Sequence, residues 1–413
     1  MKHIRIAGII KKRILALISV IILVIIVLLF FDYRGPRHIS LKSDTVFGMP
    51  CSRAKDLVVQ EYDNSGSLWA TRGMIIYCLQ KDSNSFERIA HVPTGFNIFW
   101  LRNFSLLRKI TIRPECMEVT ITGNGDIFAI SGGSLWKSVS GKKQFRRIFT
   151  LPHYGFGDQG VRSAGILNYN DSIIYLGEYY TNKNRDAIKV FGYFIDTDTM
   201  KTAYEFEPGQ IRHIHSIQKD YFTGRIWICT GDLDSESAIT WTDNGFNTVN
   251  YLFAGSQTFR VCQLVFTENN IFWGTDTGIE QEAGIFKAGK SSDNQEKLST
   301  PDGAVFYGTR LKNGTIVFST DREGLGSEKD DKTRLFIISD DNKVIEIEGG
   351  TWKHKSPGPW FKYSFLRLQR DQGATSLAVT CLNQKEFNDS ELIIFSEETL
   401  QSFASGQKLQ RNQ

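Results

Sequence analysis

The chain has 413 residues, of which 41% are hydrophobic and 12% aromatic, and its formal net charge is +4. Five of the 49 Lys and Arg residues lie in the first 13 positions, which leaves 44 basic residues against 45 acidic ones. This balance argues against a nucleic-acid-binding surface, and the absence of glycine-rich phosphate-binding motifs argues against a nucleotide cofactor.

The basic N-terminal segment is followed directly by an apolar run over residues 14–31. A helix of 18 residues spans about 27 Å, close to the roughly 30 Å hydrocarbon core of a bilayer. No small-residue cleavage site follows, which favours an uncleaved anchor over a cleaved signal peptide. The sequence therefore predicts a cytoplasmic tail over 1–13, a transmembrane signal-anchor helix over 14–31, and a single-pass membrane protein with its remainder extracytoplasmic.

After a predicted linker over 32–51, pairs of short apolar strands recur about every 45 to 60 residues. Examples are MIIYCLQKDSNSFERI from Met74 and AITWTDNGFNTVNYL from Ala238. A second apolar pair, split by Gly, Asn or Asp, precedes each hairpin. Seven repeats of four strands predict an all-β fold, a seven-bladed β-propeller over 52–406, with a polar tail over 407–413.

The six cysteines lie far apart, mostly inside apolar strands, and show no CxxC spacing for zinc. Strand placement favours buried thiols. A disulfide between Cys51 and Cys78 stays open as an alternative, because an oxidising compartment would permit it.

Basic residues stand just before the innermost strand in several repeats. Aligning the repeats at this strand places Arg162, Arg212, Arg260 and Lys362 at equivalent positions around the central channel. Guanidinium forks suit carboxylates, so this set predicts binding of an acidic glycan. Solvated strand-end arginines without a ligand are the alternative.

The string GQIRHIHSIQKD contains Gln210, His213 and His215 at Q-x-x-H-x-H spacing. Residues two apart on a strand share a face, so the two histidines are expected to bind one divalent metal ion or to act in catalysis. His153 is expected to join them from a loop. Packing of strand histidines in the core is the alternative.

Acidic and aromatic residues follow the second strand of several repeats. Tyr179 and Asp232 are the members expected to act with the histidines, because cleavage of a glycosidic bond by acid and base needs groups within about 5 to 10 Å. Ordinary turn chemistry is the alternative. The other acids in these positions include Glu178, Asp276, Asp321 and Glu323.

The spacing of Gln210, His213 and His215 resembles part of the manganese site of oligogalacturonate lyases, which are seven-bladed propellers acting on acidic oligosaccharides. This resemblance implies a divalent metal ion, with His153 as a further ligand. The hairpins WTDNGFNTV from Trp241 and SVSGKKQF from Ser138 resemble the BNR or Asp-box repeats of sialidase-like propellers, including uncharacterised membrane-anchored ones.

The sequence thus predicts an extracytoplasmic propeller that recognises an acidic glycan at the channel mouth. Whether it is an enzyme stays open: a glycoside hydrolase or polysaccharide lyase stands against a non-catalytic glycan-binding module. A protein-interaction scaffold in surface polysaccharide biosynthesis is the third alternative.

Overall fold

The computed structural model describes residues 2–93, 118–142, 144–155, 158–277, 283–292, 294–339, 341–353, 363–388 and 390–405. In this part of the chain two α-helices, α1 (Lys2–Arg34) and α2 (Glu397–Ala404), flank a domain built from antiparallel strands. Branched and aromatic residues form the strands, and Gly, Asn and Asp at positive φ form many of the turns.

Five sheets of four or five strands follow one another along the chain. The first contains β1 (His38–Ser40), β4 (Val58–Tyr62), β5 (Leu68–Arg72), β6 (Ile75–Leu79) and β7 (Ser85–His91). The second contains β8 (Glu118–Ile121), β9 (Ile127–Ser131), β10 (Ser134–Ser138) and β11 (Arg146–Thr150). The third contains β12 (Ile166–Tyr169), β13 (Ile173–Gly177), β14 (Ile188–Phe194) and β15 (Thr199–Phe206). The fourth contains β16 (His213–Lys219), β17 (Ile226–Gly231), β18 (Ala238–Thr242) and β19 (Asn250–Ala254). The fifth contains β20 (Val261–Phe266), β21 (Asn270–Thr275), β22 (Ile285–Gly289) and β23 (Gln295–Ser299).

A sixth, nine-stranded sheet contains the remaining strands. They are β2 (Lys42–Val46), β3 (Met49–Lys55), β24 (Val305–Arg310), β25 (Ile316–Arg322), β26 (Lys332–Ile338), β27 (Val344–Thr351), β28 (Ser364–Leu368), β29 (Ser376–Leu382) and β30 (Ser390–Ser396). The sequence predicted seven separate blades, whereas the structure has five sheets of four or five strands and one sheet of nine strands. The difference arises because β25 pairs with β28, at Asp321 and Arg322, and so joins two strand groups into one sheet.

Buried apolar side chains fill the space between successive sheets. Trp227 on β17 and Trp273 on β21 are fully buried and belong to one cluster between the fourth and fifth sheets. Tyr77 on β6 and Leu392 on β30 belong to another, between the first and sixth sheets. Because the first and last sheets pack together, the sheets close into a ring, and the all-β propeller fold is confirmed.

The N-terminal strand β3 completes the last part of the ring. It pairs antiparallel with β30, with Ser52 opposite Ile394 and Lys55 opposite Glu391. The strands β1, β2 and β3 occupy much of the stretch that the sequence assigned to a linker. Backbone hydrogen bonds to β30 therefore tie the N-terminal part of the domain to its C-terminal strands.

The helix α1 continues without a break from Lys2 through the apolar run to Arg34. Within the residues that the structure describes, no helix combines the length and apolar character that crossing a bilayer requires. The transmembrane signal-anchor helix predicted over 14–31, and the membrane attachment that depended on it, are therefore not supported.

Cys51 and Cys78 are free thiols, as are the other cysteines in the described ranges. The alternative of a disulfide between Cys51 and Cys78 is wrong. Cys78 is buried, in agreement with the expectation of thiols packed inside strands.

A loop over residues 369–374, between β28 and β29, closes one end of the central channel; we call it the closing loop. The Arg370 amide donates to the Gln60 carbonyl (3.0 Å), and the Phe266 amide donates to Gln372 Oε1 (2.9 Å). Gln60 lies on the first sheet and Phe266 on the fifth. The closing loop therefore crosses the channel near the point where these inner strands end.

Candidate functional site

The opposite mouth of the channel lies where the inner strands begin. In the fourth sheet His213, the first residue of β16, is paired with Gly231, the last residue of β17. Asp232 therefore emerges beside the start of the inner strand, and Asp276 occupies the corresponding place after β21. In each of these sheets, antiparallel pairing therefore places the basic residue that precedes the inner strand beside the acidic residue that follows the second strand.

The rings of His213 and His215 meet at their Nε2 atoms, 3.1 Å apart. His213 Nδ1 lies 3.1 Å from the carbonyl oxygen of Tyr180, and His215 Nδ1 lies 3.1 Å from that of Val261. A carbonyl only accepts hydrogen bonds, so Nδ1 of each ring carries a proton, and the tautomer that these contacts select leaves Nε2 as the atom available to a metal ion. Burial lowers the pKa of His215 to about 4, so this ring is neutral at pH 7.

Asp232 completes a group of three ligand atoms. Its Oδ1 lies 3.3 Å from His213 Nε2 and 3.4 Å from His215 Nε2. A point equidistant from the three atoms lies about 1.9 Å from each, close to the bond lengths of zinc and similar divalent ions. The donor set therefore fits a divalent transition metal or zinc.

The three arginines at the starts of the inner strands converge on two carboxylates. Arg212 Nη1 donates to Asp232 Oδ2 at 2.6 Å. Arg260 lies between the two acids, with Nη2 3.4 Å from Asp232 Oδ1 and Nε 3.7 Å from Asp276 Oδ2. Arg162 Nη1 donates to Asp276 Oδ2 at 3.4 Å. The arginine side chains keep 17 to 28% of their surface exposed, so none of the three is fully buried.

Tyr179 forms a wall of the same site. Its ring centroid lies 4.2 Å from that of His213, and the Arg162 guanidinium lies 5.4 Å from the Tyr179 ring and 4.9 Å from the Phe306 ring. The aromatic faces thus hold one histidine and one arginine in place. Of the residues predicted to be catalytic, the structure brings Tyr179, His213, His215 and Asp232 together.

The structure does not bring His153 or Gln210 to the histidine pair. Gln210 precedes β16 and donates to the Tyr251 hydroxyl at 2.6 Å. His153 contacts Glu178 at 3.1 Å and stacks on Tyr180 at 4.0 Å. Among the described residues, His153 belongs to neither group of His, Cys, Asp and Glu side chains close enough to share a metal ion. Lys362 lies outside the described residues.

Asp276 and Cys262 also belong to the site, although neither was predicted to act there. Buried Cys262 donates from Sγ to Asp276 Oδ2 at 3.1 Å, and burial raises its pKa, so it stays a thiol. His215, Cys262 and Asp276 form a second group with ligand-type atoms. The position of Asp276 after a second strand, matching that of Asp232, was the signal that could have found it. No sequence signal marks Cys262.

Two further carboxyl groups lie near the arginines. Asp321 is fully buried, and in the described part of the chain neither of its carboxyl oxygens has a hydrogen-bond partner. Burial, reinforced by the charge of Glu323, raises its pKa well above the usual range. Burial and the charge of Asp276 raise the pKa of Glu323 to about 7. This side of the site therefore holds protonated or half-protonated acids at neutral pH.

No family model matches the chain, and no curated protein matches it in sequence. Several hundred solved chains share its fold. An oligogalacturonate lyase in complex with manganese aligns over 88% of this chain and 98% of its own, with a TM-score of 0.57 and 9% identity. A puromycin-hydrolysing peptidase from Mycobacterium tuberculosis aligns over 83% of this chain and 52% of its own, with a TM-score of 0.52 and 10% identity.

The chain has the fold of a β-propeller. At these identities the likenesses establish the fold alone. The resemblance to the lyase noted in the sequence is confirmed at the level of fold, and the sialidase-like BNR resemblance is not confirmed.

Proposed function

We propose that the chain binds a divalent cation at His213, His215 and Asp232, binds the carboxylate of an acidic glycan at the adjacent arginines, and cleaves that glycan. The fold neighbour that acts as an oligogalacturonate lyase was solved with manganese, which makes Mn²⁺ and uronate polymers the first candidates.

One observation carries this proposal: guanidinium groups from three successive sheets meet beside a pair of histidines with facing lone pairs. Arg212 and Arg260 both contact the carboxylate that faces His213 and His215. A cation ligand set and an anion-binding set thus share one carboxylate, Asp232. This geometry therefore favours binding of an anion directly next to a metal ion.

Within this proposal the residues have distinct roles. A bound divalent ion would neutralise charge on the sugar carboxylate and so favour loss of a proton from the adjacent carbon. The electron pair of that C–H bond would then form a double bond as the glycosidic oxygen leaves the next carbon and takes up a proton. Arg162 and Arg212, whose side chains are partly exposed, would hold the carboxylate, and the half-buried Tyr179 would pack against the sugar. Glu323, whose pKa is raised to about 7, is suited to give or take a proton near neutral pH.

The test is release of new sugar ends from uronate-containing and neutral polysaccharides by the full chain, with and without a chelator. The proposal expects release only from acidic polymers, loss of release with the chelator, and recovery with Mn²⁺. The His213→Ala variant should stay inactive after Mn²⁺ is added. Equal release from neutral polymers, or release that the chelator leaves unchanged, would contradict it.

Binding without cleavage is a second candidate function, favoured by burial of the histidines. The side chain of His215 is 0% exposed and that of His213 is 5% exposed, so neither ring can contact a sugar directly. Under this alternative acidic oligosaccharides bind with Mn²⁺ present, yet no new ends appear. A scaffold function predicts neither binding nor release.

Two finer features belong to the same proposal. We propose that the nine-stranded sheet consists of two blades in contact, which brings the number of blades to seven. Only two residue pairs join β25 to β28, and apolar side chains from the strands on both sides of this junction share one cluster. The extracytoplasmic location stays a prediction from the basic N-terminal residues.

A further inference from the structure

We infer that the divalent cation and the sugar carboxylate bind this site with positive cooperativity, and that Arg260 is the residue that couples them. This inference rests on the function proposed above and adds to it a thermodynamic link between the two ligands.

Arg260 contacts the oxygen atom that the cation would use. Its Nη2 lies 3.4 Å from Asp232 Oδ1, and the same oxygen faces the Nε2 atoms of His213 and His215 at 3.3 and 3.4 Å. A cation among these three atoms would lie only a few Å from the guanidinium, and like charges at such distances repel strongly in a partly buried site. When the cation binds without an anion, repulsion from Arg260 therefore weakens its binding.

Arg260 is also loosely held. Its Nε is buried without a hydrogen-bond partner among the described residues, and its contacts with Asp232 and Asp276 are longer than the usual range for charged hydrogen bonds. Nε itself is buried, but the long contact of Nη2 with Asp232 leaves the tip of the guanidinium able to turn its hydrogen bonds to an incoming carboxylate. An anionic ligand bound there would lie between the guanidinium and the cation.

Counting charges at the site leads to the same conclusion. Three cations, Arg162, Arg212 and Arg260, face two anions, Asp232 and Asp276. The cluster thus has an excess of positive charge before any metal binds. A divalent ion increases this excess and a carboxylate ligand reduces it, so each ligand lowers the electrostatic cost of binding the other.

The surrounding ionisable groups do not cancel this excess. Asp321 and Glu323 have raised pKa values and contribute little or only partial negative charge at neutral pH. Glu236 is paired with Arg185. Glu178 accepts hydrogen bonds from His153 and from a backbone amide and keeps its negative charge, but among the described residues none of the three arginines contacts it. At contact distance, the arginines are therefore balanced only by Asp232 and Asp276.

Reciprocal calorimetric titrations test the coupling. Mn²⁺ is titrated into the full chain with and without saturating galacturonate, and galacturonate is titrated with and without saturating Mn²⁺. We expect each ligand to tighten binding of the other by the same factor, about fivefold or more, because coupling between sites is reciprocal. Arg260→Gln should bind Mn²⁺ more tightly than wild type in the absence of sugar, and coupling between its two ligands should be weaker than in wild type, because only their direct attraction remains.

Matched variants and distinct outcomes separate the two proposals. Arg225→Gln alters an arginine that stacks on Trp241 at 3.8 Å, away from the site, and should keep full coupling. If both ligands bind but neither changes the affinity for the other, the inference is overturned and the proposed function stands. If neither binds, both fall. Coupling as strong in Arg260→Gln as in wild type overturns the role of Arg260, and Arg260→Lys serves if the glutamine variant does not fold.

Discussion

His213 Nε2 and His215 Nε2 lie 3.1 Å apart, although backbone carbonyls hold the proton of each ring on the opposite nitrogen. Two lone pairs at this distance repel each other unless a cation lies close to both. The backbone thus fixes the tautomers that a metal ion needs, and the site is prepared for a cation before one binds.

Replacing His213 by Ala should lower the affinity for Mn²⁺ by at least about tenfold, because one of three ligand atoms is lost. Calorimetric titration measures the change. Gln210→Ala is the matched control, since Gln210 contacts Tyr251 instead of the histidine pair, and its affinity should be that of wild type. An equal loss in both variants would contradict the ligand set described here.

Replacing Arg162 by Gln should weaken binding of uronate oligosaccharides by about tenfold or more, because a charged hydrogen bond to the carboxylate is lost. Binding of neutral oligosaccharides should stay as weak as in wild type. Arg225→Gln is the control, and affinity can be measured by calorimetry. If acidic and neutral sugars lose affinity equally, Arg162 is packing the site instead of binding a carboxylate.

Asp371 in the closing loop should make stability depend on pH. Burial, reinforced by the charge of Glu61, raises its pKa to about 7 from its usual value of 3.8. The folded state then holds a proton that the unfolded state releases, so its contribution to the free energy of unfolding is full below about pH 4 and falls as pH rises to about 7.

The Asp371→Asn variant should therefore gain stability relative to wild type between pH 4 and 7, by on the order of 2 kcal/mol. Urea unfolding at pH 4.5, 6 and 7.5 measures this difference. Asn keeps an oxygen that can accept the 2.7 Å hydrogen bond from the Tyr62 amide. The exposed Asp243→Asn is the control. Parallel stability curves for Asp371→Asn and wild type would contradict the shift.

Removing residues 1–56 should destabilise the domain by about 3 kcal/mol or more, because β3 and its buried residues Met49 and Ala54 are lost. Removing residues 1–33 keeps β1, β2 and β3 and should leave unfolding unchanged. Thermal unfolding distinguishes the two shortened chains. Equal unfolding temperatures would show that the pairing of β3 with β30 contributes little.

The sequence was sufficient to predict a propeller, because its strands alternate with turn residues at a regular period. It did not predict that β3 pairs with β30, since Ser52 and Ile394 lie far apart in the chain and no local pattern links them. It also did not reveal that β25 and β28 join two strand groups, which depends on how neighbouring sheets meet.

In the site, the equivalent positions of Arg162, Arg212 and Arg260 were visible because the repeats align. The spacing of His213 and His215 likewise placed both rings together. The prediction that Gln210 lies beside the two histidines was wrong. The strand β16 begins only at His213, so the alternation of side chains along a strand does not fix the position of Gln210 in the preceding turn. Cys262 could not be identified, since its partner Asp276 is known only from the fold.

The closing loop ties together inner strands of different sheets at one end of the ring. Arg370 is bonded to Gln60 on the first sheet, and Gln372 is bonded to Phe266 on the fifth. This link lies in the path of a polymer that would pass through the ring from one face to the other. Under the proposed function, a long polysaccharide is therefore expected to reach the site and leave it by the same face, which favours repeated encounters over sliding along the polymer.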